Sequence, residues 1–334
     1  MVTEESIRAR LAALAKPERS LGRLEDLAVR LASCAGSERP LTKPRRLLIF
    51  AADHGVVAEG VGIWPAEITQ AMLKVIADGR ACSSALAAAC SAEVRLIDVG
   101  SRASDVPRTQ IYQDQRVARS TRNLALEPAM TPDEFRQAWH VGQTAVAEAI
   151  ADGIQLLAVG EIGIGNTTPA ACLVALLSGA DPSSVIGPGA GATPHTMARK
   201  RDVVATAVCA AQEHLAHDPI RAIAHVAGFE IVAIAGAIAA SRSAGLPVVI
   251  DGVVTGAAAM IARTIDPAAM ETAIASHVSA EPAHAVALEW LGLAPFLDWE
   301  LRLGEGTGAL LLVPMLDAAA ALLTNVATLD EVTG

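Results

Sequence analysis

Ile154–Pro169 reads IQLLAVGEIGIGNTTP, and the fold class turns on it. Ile154 to Val159 is a short apolar run of strand length. A glycine loop follows, from Gly160 to Asn166, and then Thr168 and Pro169 open a helix. A hydroxyl cap and a proline preset to helical φ are strong helix-start signals. Strand, glycine loop and helix together form the repeating unit of a parallel sheet. Free amides at such a helix start attract an anion. Gly163, Gly165, Asn166 and Thr167 are therefore candidate phosphate contacts, with a plain capped turn as the alternative. The stretch has neither the lysine and spacing of a P-loop nor the pattern G-x-G-x-x-G, so neither nucleotide fingerprint applies. Glu161 is a candidate buried acid.

The same unit recurs on both sides. Leu47–Ala52 is a buried strand ending at Asp53-His54-Gly55, Val94–Val99 carries Asp98 near its end, and Pro247–Ile250 ends at Asp251-Gly252. Strands alternating with helices predict an α/β fold, a parallel sheet with helices on both faces. All four acids would then lie along one edge, facing a common crevice. Asp53 and His54 either orient each other, orient a substrate hydroxyl, or simply end the strand in a turn. No second ligand cluster stands at a convincing spacing for a metal.

The connections read as follows. Residues 4–34 form two helices, with Ser20 capping the second and Leu21, Leu24, Leu27, Ala28 and Leu31 as its apolar stripe. Lys16 and Arg19 sit in the solvated turn between them, and Lys43-Pro44-Arg45-Arg46 is a basic connector. Residues 101–131 look irregular, and connections of that length are usually functional. Thr131-Pro132-Asp133-Glu134 starts a helix to about Ala151, Gly236 marks close helix packing, and Ser279 caps another helix. A final alanine-rich helix runs to about Val326.

Leu301–Ala309, LRLGEGTGA, is the second decisive stretch. Its glycines Gly304, Gly306 and Gly308 let a ligand approach the main chain and flank one acid, Glu305. A carboxylate fixed in a dry turn is a candidate general base. The alternative is a tight turn with a solvated acid. Ile186–Gly191, IGPGAG, is a further glycine turn, and Lys200 on the helix after it either reaches an anion or is an exposed helix lysine.

Composition narrows the class. At 334 residues the chain is long enough for a sizeable core. The net charge of −10 and the lack of a basic run with interleaved aromatics argue against a nucleic-acid partner. The five cysteines form no C-x-x-C pair and read as small core residues in a reducing compartment. The first residues have no signal-peptide character, and the longest apolar runs are too short to span a bilayer, so a soluble cytoplasmic protein is expected.

KPERSLGRLE (16–25), FAADHGVVAEGV (50–61), GEIGIGNTTPA (160–170), PVVIDG (247–252), SAEPAH (279–284) and LRLGEGTGA (301–309) occur in this order along nearly the whole chain. As a set they resemble the nicotinate-nucleotide:dimethylbenzimidazole phosphoribosyltransferase family. The resemblance implies transfer of the phosphoribosyl group of nicotinate mononucleotide to 5,6-dimethylbenzimidazole, giving α-ribazole 5′-phosphate and nicotinate, with no metal or cofactor. Alternatives are another base or a phenol as acceptor, or a non-catalytic α-riboside binding protein. By the same resemblance Glu305 is the base, and Glu161 and Asp251 bind the ribose or assist catalysis. Gly163, Gly165, Asn166 and Thr167 with Lys200 hold the phosphate. Leu303, Gly304, Gly306 and the segment from Asp53 and His54 line the benzimidazole side. The fold implied is a large α/β domain (41–284) plus a small helical domain from both chain ends (1–40 with about 285–334), usually as a homodimer.

The sequence departs from that family at Pro17-Glu18-Arg19, where a Pro-Pro-Gly-like turn is usual, and at Lys74 and Arg80-Ala81-Cys82. It departs again in IGPGAG, which lacks a hydroxyl. Gly252 replaces the second acid of the diphosphate motif of ordinary phosphoribosyltransferases, so no magnesium–diphosphate site is expected, and Asp251 is a candidate for a ribose hydroxyl or a structural cap.

Overall fold

A computed structural model describes residues 2–189 and 191–334; Ala190, inside the IGPGAG turn, lies outside the described residues. The strands are β1 (Arg45–Ala52), β2 (Ala92–Gly100), β3 (Tyr112–Asp114), β4 (Leu156–Ile162), β5 (Val248–Ile250) and β6 (Ala273–Ala275). They make one sheet in the order β3-β2-β1-β4-β5-β6, with every pairing parallel. Helices α1 (Glu4–Ala13) and α2 (Arg23–Ala35) precede β1, and α3 (Glu67–Ala77) and α4 (Cys82–Ala89) lead to β2. Helix α5 (Pro132–Ala151) leads to β4. After it come α6 (Thr167–Ser178), α7 (Pro194–Leu215), α8 (Pro219–Val226) and α9 (Phe229–Ser243). Helix α10 (Val253–Ile265) follows β5, and α11 (Pro282–Leu291), α12 (Thr307–Asn325) and α13 (Leu329–Thr333) close the chain.

Every residue of β1 is buried. Leu47, Ile49 and Ala51 face a core shared with α1, α2 and α12, while Leu48, Phe50 and Ala52 face a core shared with α5, α6, α9 and α10. Cover on both faces is why these strands read as unbroken apolar runs rather than alternating ones. The chain ends meet: the Ala15 amide donates to the Ala327 carbonyl, and Leu14 bridges Thr328. Helix α11 packs on the opposite face, against α6 and α10. Helices α5 and α9 touch backbone to backbone. A Cβ at Gly142 would run into the Ala233 carbonyl, and one at Gly236 into the Trp139 carbonyl.

Several local readings are corrected. Ser20 caps nothing; α2 starts at Arg23 behind Gly22, whose φ of 54° only glycine adopts freely, and Leu21 is exposed. Lys16 is not solvated but lies 2.9 Å from Glu25 Oε1, with both side chains largely buried. Arg45 and Arg46 belong to β1 itself. Buried guanidinium groups need partners: Arg46 meets Glu93 at 2.7 Å and Asp152 at 2.6 Å, while Arg45 meets Asp317 at 3.0 Å through one nitrogen only. The 101–131 connection contains the edge strand β3, paired with Leu96–Asp98. Helix α12 is long and apolar enough to cross a membrane, contrary to the run-length expectation. In the fold its apolar residues Leu310, Val313, Leu316 and Leu323 are buried in the core it shares with α2.

Candidate active site

The strand order reverses direction between β1 and β4, and in open α/β sheets ligands sit beyond the carboxyl ends of strands near such a reversal. A crevice of about 140 Å³ lies there, above the ends of β4, β5 and β6. The segment Val61–Trp64 after β1 and the segment Arg302–Gly304 before α12 close its sides.

Of the four strand-end acids, Glu161 alone lines this crevice. Asp53 accepts the Arg102 amide at 2.7 Å. Asp98 is taken up by the Ser101 amide (2.8 Å), the Ser101 hydroxyl (2.6 Å) and the Tyr112 hydroxyl (3.0 Å). His54 does not pair with Asp53 among the described residues and does not line the crevice. It is buried, with Nε2 2.9 Å from Glu230 Oε1, behind the glycine loop that carries Gly163. These residues lost their expected place because strand-end carboxylates are also the natural acceptors for the amides of the loops that follow.

Asp251 faces down rather than into the crevice. Its Oδ2 accepts the Gly306 amide at 3.1 Å, and its Oδ1 accepts the Gly308 and Ala309 amides at 2.7 and 3.2 Å. It thus occupies the amino end of α12 and clamps the LGEGTGA turn. Burial pushes its carboxyl up to about 7, against backbone amides that favour the charged form. The turn also packs on β4: a Cβ at Gly160 would strike the backbone at Glu305 and Gly306. Glu305 adopts φ 58° in this turn, is 3% exposed, and accepts the Ser83 hydroxyl at 2.8 Å. Gly304 and Leu303 line the crevice, and Gly304 lies directly against Glu161, leaving no room for a side chain. Glu161 itself accepts from the Asn166 side-chain amide. Burial first, then the charges of Glu230, Asp251 and Glu305, hold its carboxyl well above the usual range.

The glycine loop after β4 opens onto the crevice. Gly163, Gly165, Asn166 and Thr167 line it at the start of α6, which has no side-chain cap. Lys200 does not open onto the crevice. It is buried, and its Nζ donates to Thr167 Oγ1 at 2.9 Å and to the Gly187 carbonyl at 3.0 Å. The IGPGAG turn is pinned by Glu281, which accepts the Gly189 amide at 2.8 Å and lines the crevice. Among the described residues no group of three His, Cys, Asp or Glu side chains is placed to hold a metal.

Sequence reasoning missed Ser83, Glu230, His277 and Glu281. Glu281 lies inside the SAEPAH motif and was legible as a conspicuous acid before a proline. Ser83 and Glu230 sit on apolar helices, and no periodicity says what a lone polar residue there will meet.

The phosphoribosyltransferase family model matches residues 2–333. The nicotinate-nucleotide–dimethylbenzimidazole phosphoribosyltransferase of Thermus thermophilus is 43% identical over 97% of this chain and 96% of its own length. That of Chromobacterium violaceum is 41% identical over 97% of this chain and 93% of its own length. The crystal structure of CobT from Thermus thermophilus superposes with a TM-score of 0.94 at 42% identity, covering 98% of each chain. The chain belongs to the nicotinate-nucleotide–dimethylbenzimidazole phosphoribosyltransferase family.

Proposed function

We propose that this protein transfers the phosphoribosyl group of nicotinate mononucleotide to 5,6-dimethylbenzimidazole. One ring nitrogen of the base attacks C1 of the ribose, the bond from C1 to the nicotinate nitrogen breaks with its electron pair leaving on nicotinate, and C1 inverts. The other ring nitrogen gives up its proton to Glu305. The products are α-ribazole 5′-phosphate and nicotinate. The observation that carries this reading is the buried Glu305 carboxylate, held in a left-handed turn by the Asp251 clamp and by Ser83. A preset carboxylate in dry surroundings is what proton removal from an attacking ring requires.

The other roles follow from position. Glu161, raised and at the crevice wall, donates to or accepts from a ribose hydroxyl. The Gly163–Thr167 loop takes the phosphate, with Lys200 acting through Thr167. Asp251 acts on the turn rather than on substrate. Lys74 pairs with Asp105 at 3.0 Å and Arg80 with Asp78 at 3.2 Å. Neither lines the crevice, which favours dimethylbenzimidazole itself over an altered acceptor. We read the protein as a cytoplasmic homodimer; the exposed Ile63, Trp64 and Leu303 in the crevice wall favour a covered face there.

The test is nicotinate release from nicotinate mononucleotide with and without dimethylbenzimidazole. Release that requires the base, with α-ribazole 5′-phosphate forming in step, is expected. Release without base, yielding ribose 5-phosphate, would make the protein a hydrolase instead.

A further inference from the structure

His277 has no part in the roles assigned above. It follows β6 and stands in the crevice wall, with Nε2 on the side of Gly252, 3.7 Å from where a Cβ of that residue would be. Its Nδ1 lies 2.9 Å from the Ser276 hydroxyl oxygen. The other acceptor open to that hydroxyl, the Asp251 carbonyl, is 3.5 Å away. Either the hydroxyl donates to Nδ1, which leaves the ring proton on Nε2, or it donates to the Asp251 carbonyl and accepts from Nδ1–H. His284, with its ring centroid 5.8 Å away, carries its proton on Nε2, because its Nδ1 accepts the Ser279 amide at 2.9 Å. Asp251 Oδ1 is 3.9 Å from His277 Nδ1 and is already taken by the amides of Gly308 and Ala309. Burial pushes the His277 ring down to about 4, so it is neutral near pH 7. The ring therefore has Nδ1 tied to its own chain and Nε2 left on the crevice side.

We propose that the His277 ring carries its proton on Nε2 and is a substrate-contacting residue there, its Nε2–H donating to an oxygen of the mononucleotide, either a ribose hydroxyl or the carboxylate on the nicotinate ring. This rests on the function proposed above. A neutral donor suits the task, since the pyridinium ring of that substrate is positive and a cationic side chain beside it would repel it. Ser276 becomes a positioning residue, because it fixes which nitrogen carries the proton.

The test uses His277→Gln, whose amide reaches the place of Nε2, and His277→Asn, whose amide reaches only that of Nδ1. Binding of nicotinate mononucleotide is measured by calorimetry, alongside kcat/KM. His277→Gln is expected to stay near the parent, and His277→Asn to lose about tenfold, the scale of one hydrogen bond in a dry site. Equal effects of the two, or no loss in His277→Asn, overturn the proposal. Nicotinamide mononucleotide, which lacks the carboxylate, separates the two acceptors: the loss vanishes if the carboxylate is the partner and persists if a ribose hydroxyl is. Should His277→Asn melt early, Ser276→Ala replaces it. That variant leaves the ring in place but frees its tautomer, and unchanged affinity there also overturns the proposal. A parent protein that does not bind nicotinate mononucleotide at all would sink the functional reading itself, an outcome distinct from normal parent binding with an indifferent His277.

Discussion

Two glycine-rich turns in this protein look alike and do opposite work. Each leads into a helix and each carries a glutamate: Glu161, before α6, lines the crevice, and Glu305, before α12, is buried against Ser83. At the start of α6 the amides of Gly165 and Thr167 take no protein partner among the described residues, and the loop lines the crevice. At the start of α12 the amides of Gly306, Gly308 and Ala309 are already taken by Asp251. A helix amino end is an anion site in both cases. At α12 the protein supplies the anion itself, and at α6 no described side chain does. The difference teaches that a glycine motif alone does not mark a ligand site; what decides is whether a carboxylate from the neighbouring strand reaches it first.

The comparison is sharpened most by Glu305→Gln. If the clamped turn exists to present a base, turnover falls by about a thousandfold, within the usual range for loss of a general base, while melting stays unchanged because glutamine keeps the Ser83 contact. Unchanged turnover would reduce the second turn to a structural one. Asp251→Ala strips the clamp and leaves its three amides without their acceptor. Denaturant unfolding should then show a loss of about 3 kcal/mol, on the order of 1 kcal/mol for each orphaned amide, together with reduced kcat. A stable, fully active Asp251→Ala would break the comparison outright.

Thr167→Val probes the open turn. It removes the crevice hydroxyl that Lys200 holds. The KM for nicotinate mononucleotide should rise about tenfold, with kcat little changed and stability nearly intact, since Lys200 keeps the Gly187 carbonyl. A matching rise in KM for dimethylbenzimidazole would argue against a phosphate role. A further effect is in pH. The Asp251 carboxyl is raised from 3.8 to about 7 in the folded protein, so the folded state holds the extra proton between those values. Its contribution to stability is full at low pH and is lost as pH climbs towards about 7. The midpoint of urea unfolding for Asp251→Asn, set against that of the parent from about pH 5 to about pH 8, should show the parent losing ground with rising pH. A flat difference would mean that the amides, not burial, govern this group.

Much of this architecture was legible in the chain itself. The apolar runs of β1, β2 and β4, the Thr131-Pro132 cap and the strand–loop–helix unit at Ile154–Pro169 are local, and local propensity and hydrophobic patterning follow from the residue order. Gly236 was legible too, because a glycine among alanines on a helix marks backbone contact, as its approach to Trp139 bears out. The three-residue strands β3 and β6 were not, since they are too short for any period to register and exist only as additions to neighbouring strands. Arg19 lies between these cases. A glycine is usual at that point of the turn, and the arginine is held at φ 53°, a strain the sequence alone hints at and the backbone displays.

What the sequence determined by itself was the alternation of strands and helices, the glycine turns and the presence of acids beside them. Only the tertiary structure decided which acid does what. Asp53, Asp98, Glu161 and Asp251 are equivalent on paper, each near a strand end. Three accept from the protein's own amides and hydroxyls and face away from the crevice, and only Glu161 lines it. The reason is physical: a buried carboxylate must find donors, and the donors it finds come from segments distant in sequence, such as the α12 turn 55 residues beyond Asp251. No local pattern encodes those meetings; they are settled when the sheet brings its carboxyl edge and the α12 turn together.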